Sequence, residues 1–158
     1  MRMKRIIFVV INLAVFAVLS LPARDGTEGY PKTFGIGVIL GEPTGVASKL
    51  WLHERVSLDV AGAWSFMSGS FYVHGDIQWH MFDLIAVETG RLPLFVGAGA
   101  RIKFTDTIDV GVRFPLGLVY IFATAPVDIF VEVAPALVLV PATEFDIGAG
   151  IGVRFYPF

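Results

Sequence analysis

The sequence has no cysteine, which removes a disulfide framework and any thiolate metal site. Charge is scarce. Lys, Arg, Asp and Glu make up 16% of the 158 residues, against about 25% in ordinary soluble domains. A solvated exterior is normally about 25–35% charged, so a conventional water-facing surface is hard to build from this chain. There is no basic excess either: the formal net charge is −2, and a nucleic-acid binder needs a basic face. Beyond residue 22 no apolar run approaches the roughly 20 residues of a membrane helix. Low-complexity runs and long polar linkers are also missing. Yet 55% of the chain is hydrophobic, above the roughly 45–50% of soluble domains. Apolarity that is abundant but nowhere concentrated must be spread in alternation.

Residues 1–23 read as a signal peptide. Arg2, Lys4 and Arg5 form a positive start, Ile6 to Leu19 an apolar core broken only by Asn12, and Leu21-Pro22-Ala23 a small-residue cleavage point. The other reading of this segment is an uncleaved anchor. Removing it takes away three positive and no negative charges, so the net charge goes from −2 to −5. Residues 24–32, polar with Gly and Pro, form a flexible lead-in. Residues 33–158 then make one domain.

Its clearest stretch is 144–158, EFDIGAGIGVRFYPF. Phe145, Ile147, Ala149, Ile151, Val153 and Phe155 alternate with Asp146, Gly148, Gly150, Gly152, Arg154 and Tyr156. Period two means a strand with two unlike faces. Seven further segments alternate in the same way: 33–40, 46–52, 55–66, 70–82, 92–104, 108–122 and 127–140. Turn chemistry separates them, as in Gly41-Glu42-Pro43-Thr44-Gly45, Ser68-Gly69 and Pro141-Ala142-Thr143. The longest connection is 83–91. Eight strands joined by short turns predict an all-β, antiparallel up-and-down barrel, closed so that no apolar edge is exposed.

Alternation alone does not say which face points inward. The polar face settles on the interior because it is mostly Gly, Ala and Ser with a few charges, as a crowded eight-stranded lumen requires. Its charges nearly balance: Lys49, Arg101, Lys103, Arg113 and Arg154 against Asp59, Asp76, Asp109, Asp128, Glu132 and Asp146. Charges persist in a narrow interior when paired, so these eleven are expected to form a lumen salt-bridge network. Arg113 or Arg154 is the natural partner of Asp128 and Glu132. The bulky face is expected to meet lipid. Trp51, Trp64, Phe66, Phe71, Trp79, Phe82, Phe104, Tyr120, Phe122, Phe155 and Tyr156 lie toward strand ends as interfacial girdles. Pro115 and Pro135 fall inside expected strands, which calls for bulges or earlier strand ends.

With its N-terminal segment, eight amphipathic strands and aromatic C-terminus, the chain resembles the small outer-membrane barrels of the OmpA transmembrane-domain and OmpX type. It is similar also to small barrel families of unassigned function. The resemblance implies the bacterial outer membrane of a Gram-negative cell, contact with outer-membrane lipids, and handling by periplasmic chaperones and the barrel-assembly machinery. It also implies an assembly signal in the last strand. Gly150, Val153 and Phe155 follow that spacing and Phe158 is terminal, although Pro157 shifts Phe158 off the outward parity.

No catalytic, cofactor or metal motif emerges. His74 and His80 share a face with Asp76 but lie six residues apart, about 20 Å on a strand, too far to share an ion. Ser70 and His74, the nearest hydrolase pair, are some 13 Å apart. The function expected is a structural or interaction barrel with a lumen filled by salt bridges, neither an enzyme nor a nucleic-acid binder. The alternatives are a narrow pore or transporter for small or apolar molecules, a lipid-modifying enzyme, and a soluble calycin-like binder.

Overall fold

A computed structural model describes residues 33–157. The expected signal peptide 1–23, the lead-in 24–32 and Phe158 lie outside the described residues. Every regular element among them is a strand: β1 Phe34–Glu42, β2 Thr44–His53, β3 Val56–Ser65, β4 Ser70–Met81, β5 Leu94–Phe104, β6 Ile108–Arg113, β7 Leu116–Ile121, β8 Val127–Val140 and β9 Glu144–Phe155.

All pairings are antiparallel, and β9 pairs with β1 to close the ring. β6 and β7 are two halves of one stave, both lying between β5 and β8. The ring therefore has eight staves, and the expected single strand 108–122 is corrected to two. The break falls at Phe114-Pro115. Pro115 has no N–H to give to Gly97, although its carbonyl accepts from the Gly97 amide at 2.8 Å. Pro135 sits opposite this break in an uninterrupted β8, and its carbonyl accepts from Phe114 N at 2.9 Å. The two prolines thus concentrate the missing donors at one place in the wall. The bulges lie elsewhere, between Trp51 and His53 on β2 and where β6 meets β8 at Val110 and Gly111.

The strands are steeply staggered. Ladder partners lead from Gly35 through Lys49, Asp59, Asp76, Gly99, Arg113 and Ala136 to Asp146. Extending the β9–β1 register, in which Gly37 faces Arg154, sets Asp146 level with Gly45, ten residues beyond the start. All eight residues on that line point inward, so the stagger itself brings the charged side chains to one layer of the lumen.

Burial alternates with the same period. Ile36, Val38, Ile77, Val96, Val131, Ile151 and Val153 are exposed on the outer wall, while Lys49, Asp59, Asp76, Arg101, Arg113, Asp128 and Arg154 are buried inside it. Small residues make this possible. A Cβ on Gly152 would collide with the ring of Phe130, and a Cβ on Gly37 with the backbone of β9. The turn between β3 and β4 uses Gly69 at φ 63°, a conformation that favours glycine.

The charged lumen as candidate functional site

Three clusters fill the lumen. The first surrounds Lys49, which is wholly buried. Its ammonium donates to Ser57 Oγ at 3.1 Å and Gln78 Oε1 at 2.9 Å, and lies 3.0 Å from Asp59 Oδ1 and 3.1 Å from His80 Nε2. Trp51 and Phe95 present ring faces to it at 5.2 and 5.6 Å. A buried ammonium survives only with such saturation of its donors. Arg154 extends the cluster. Its Nη1 donates to Asp59 at 2.7 Å, its Nε donates to Asp128 at 3.0 Å, and its guanidinium lies 4.0 Å from the centre of the Phe130 ring. Tyr156 donates its hydroxyl to Asp128.

The second cluster is central. Arg113 donates to Glu132 and approaches Asp76 Oδ2 at 3.5 Å, while His74 Nε2 lies 3.9 Å from the same oxygen. The third is at the mouth away from the termini. Arg101 donates to Asp146 Oδ2 at 2.7 Å and to the hydroxyl of Tyr72, which itself donates to Asp146.

The eleven charged positions expected on the lumen face thus divide. Lys49, Asp59, Asp76, Arg101, Arg113, Asp128, Glu132, Asp146 and Arg154 take part in these three clusters. Lys103 and Asp109 do not: they face one another on β5 and β6, only half-buried, and no ion pair among the described residues includes either. Lys103 instead lies over the Tyr72 ring at 5.9 Å.

Two expected girdle residues are corrected. Trp51 points inward with Lys49, its ring 4.5 Å from that of His80, and Tyr156 is buried with Asp128. Parity is the physical reason. Trp51 is two residues from Lys49 and Tyr156 two from Arg154, so each shares its neighbour's face. Phe82 too packs against the interior cluster. Trp64, Phe66, Phe71, Trp79, Phe122 and Phe155 are exposed on the outside.

Parity also identifies residues that composition hid. Ile39, Phe95, Val119, Ile121 and Phe130 are apolar yet buried inside the ring, with Trp51 and Phe82 against them. The lumen is therefore not uniformly polar, and its end near Trp51 and Phe82 is stoppered by this packing. Ser57, Gln78 and His80 are likewise the hidden partners of Lys49.

Small cavities lie between these clusters among the described residues. One, of about 20 Å³, is lined by Tyr72, His74, Arg101, Arg113 and Glu132 among others; a second, of about 10 Å³, by Asp59, His74, Asp76, Glu132 and Arg154 among others. Each has room for about one water. Among the described residues no group of three or more His, Asp and Glu could hold a metal ion. Ser70 is hydrogen-bonded to Ser68 in the β3–β4 turn, whereas His74 lies toward Asp76, so the two do not form a nucleophile–base pair. Of the last-strand positions, Gly150 faces inward and Val153 and Phe155 outward.

No protein-family model matches the sequence, and no curated protein matches it. Among solved structures, the crystal structure of the N-terminal β-barrel domain of Pseudomonas aeruginosa OprF is similar. The TM-score is 0.62 at 16% sequence identity, covering 77% of this chain and 95% of that one. At that identity the likeness is one of fold, a closed antiparallel β-barrel.

Proposed function

We propose that this chain is an integral barrel of the bacterial outer membrane with a structural or interaction role, its lumen closed by ion pairs. The observation that carries the reading is the outer wall. All eight staves turn large apolar side chains outward, among them Val38, Val46, Val60, Ile77, Val96, Leu116, Val131 and Ile151, each more than 40% exposed. Soluble monomers rarely expose apolar patches beyond a few hundred Å². A closed ring with its charged clusters turned inward suits hydrocarbon, where every backbone group must be paired internally. The likeness to the OprF barrel supports the same reading. On it, residues 1–23 are a cleaved export signal, and Gly150, Val153, Phe155 and Phe158 are what the assembly machinery reads. Outer-membrane lipids are the principal partner.

Gel mobility of the membrane-extracted protein with and without boiling tests this. A closed membrane barrel gives two bands that interconvert on heating. A single heat-indifferent band, or recovery in the soluble fraction without detergent, contradicts the reading.

The pore reading finds little support in the interior. Two adjoining water-sized cavities, with Ile39, His74 and Glu132 in both walls, beside an end packed with Trp51, Phe82 and Phe95, do not make a wide channel. Planar-bilayer recordings are expected to show no steady conductance; currents that vanish in Arg113→Ala would reverse the order of the two readings. Short connections, such as residue 43 and residues 54–55, 105–107 and 141–143, also leave little to project as an adhesive surface.

A further inference from the structure

The charges of the lumen interior do not cancel. Arg101 is matched by Asp146 at one mouth, and Lys103 faces Asp109. Deeper in, among the described residues, three cations meet four carboxylates. Lys49 and Arg154 lie between Asp59 and Asp128, two against two. Arg113 alone serves Glu132 and Asp76, one against two.

Asp76 is the carboxylate left over. It is 1% exposed. Arg113 Nη1 approaches it at 3.5 Å and His74 Nε2 at 3.9 Å, yet neither of its oxygens accepts a hydrogen bond. Its ladder neighbour on β3 is Asp59, a group of the same sign, and on β5 it is Gly99, which offers no side chain. His74 Nδ1 is buried without a partner as well. The cavity of about 10 Å³ has Asp76, Glu132 and His74 in its wall. A buried charge without compensation is not sustained: it neutralises or acquires a counter-charge.

We propose that this cavity is the site of one bound proton, carried by Asp76 with Glu132 and His74 around it. One charge completes the balance and a divalent ion would overshoot it. The space admits a single water-sized body. The other charged groups facing the site each have an ion-pair partner: Lys49 on β2, Asp59 on β3, Arg101 on β5, Arg113 on β6 and Arg154 on β9, although Arg101 Nε, Arg113 Nε and Arg154 Nη2 are buried without an acceptor.

The test is urea unfolding of the full barrel in detergent micelles, in two series. One varies pH at fixed sodium; the other replaces choline by sodium at fixed pH. A single linked site changes the folding constant up to tenfold for each tenfold change in cation. Buried neutral histidines such as His74 and His80 make stability rise with pH up to about 6.5, so the readout is the wild-type folding constant divided by that of Asp76→Asn or Glu132→Gln, in which they cancel. A ratio that falls up to tenfold per unit as pH rises above about 4, where an unfolded aspartate has lost its proton, identifies the proton. A wild-type folding constant that rises with sodium assigns the missing charge to a metal ion and overturns the proposal. Asp76→Asn and Glu132→Gln each leave three charges against three. Each is expected to shift the pH slope upward by up to one decade per unit relative to the wild type, and either suffices if the other does not fold. A ratio flat in pH, meaning a folded variant that keeps the wild-type slope, also overturns it.

Discussion

Replacing Arg154 by Met keeps most of the side-chain volume and removes the charge that links two buried carboxylates. Arg154 is 2% exposed and Asp128 wholly buried. The substitution breaks the 2.7 Å bond to Asp59 and the 3.0 Å bond to Asp128. Asp59 keeps Lys49 at 3.0 Å, but Asp128 keeps only the Tyr156 hydroxyl. Removing one member of a buried pair costs about 3–5 kcal/mol because the other is stranded. That is roughly two to four decades in the folding constant. The loss comes from the stranded charge rather than from missing packing, so adding Asp128→Asn should return a large part of it. Urea unfolding in micelles, followed by the heat-shifted gel band, measures the single variants and the pair as a cycle. A loss below about 1 kcal/mol for Arg154→Met, the range of solvent-exposed pairs, would refute the buried network. So would a double variant no more stable than the single.

Three further outcomes follow from the same geometry. Val131→Arg places a charge midway along β8 on the outer wall, where Val131 is 45% exposed; in a bilayer it should cost about 2–4 kcal/mol, whereas on a water-facing surface unfolding measurements would find almost no change. Gly152→Val drives a side chain into the Phe130 ring, which stacks on Arg154; overpacking should cost about 1–3 kcal/mol, with part of it returned by Phe130→Leu. Pro135→Ala supplies an N–H opposite the existing break at Phe114-Pro115 and should alter stability by less than about 1 kcal/mol in the same unfolding assay, since no intact ladder depends on that position.

Strand existence and facing were legible in the sequence because a barrel stave has a strict two-residue period with unlike faces. β9 is the plainest instance: the six apolar positions from Phe145 to Phe155 are the six that point outward. Once facing is known, so is the location of Lys49, Asp59, Asp128 and Arg154. The partner of each charge was not legible, since it depends on the stagger that sets Lys49, Asp59, Asp76 and Arg113 at one level. Lys103 and Asp109 show the limit: they share the inward face but lie at the mouth, and facing carries no depth. Residue type misled at Trp51 and Tyr156, where an aromatic near a strand end suggested a girdle and parity placed it inside. The apolar interior of Ile39, Phe95 and Val119 was concealed because a bulky apolar side chain on a strand was expected to meet lipid. Pro115 marked its own irregularity, and Pro135 was accommodated by standing opposite it.

The three tryptophans offer a decisive reading of inside and outside. Trp64 and Trp79 are 45% and 51% exposed on the outer wall, while Trp51 points into the lumen beside His80. Single-tryptophan variants reconstituted in vesicles whose acyl chains carry bromine near the interface should be strongly quenched at Trp64 and Trp79 and little affected at Trp51. Equal quenching at Trp51, or none at Trp64 and Trp79, would contradict a barrel that turns its apolar face to lipid and its charges to its own axis.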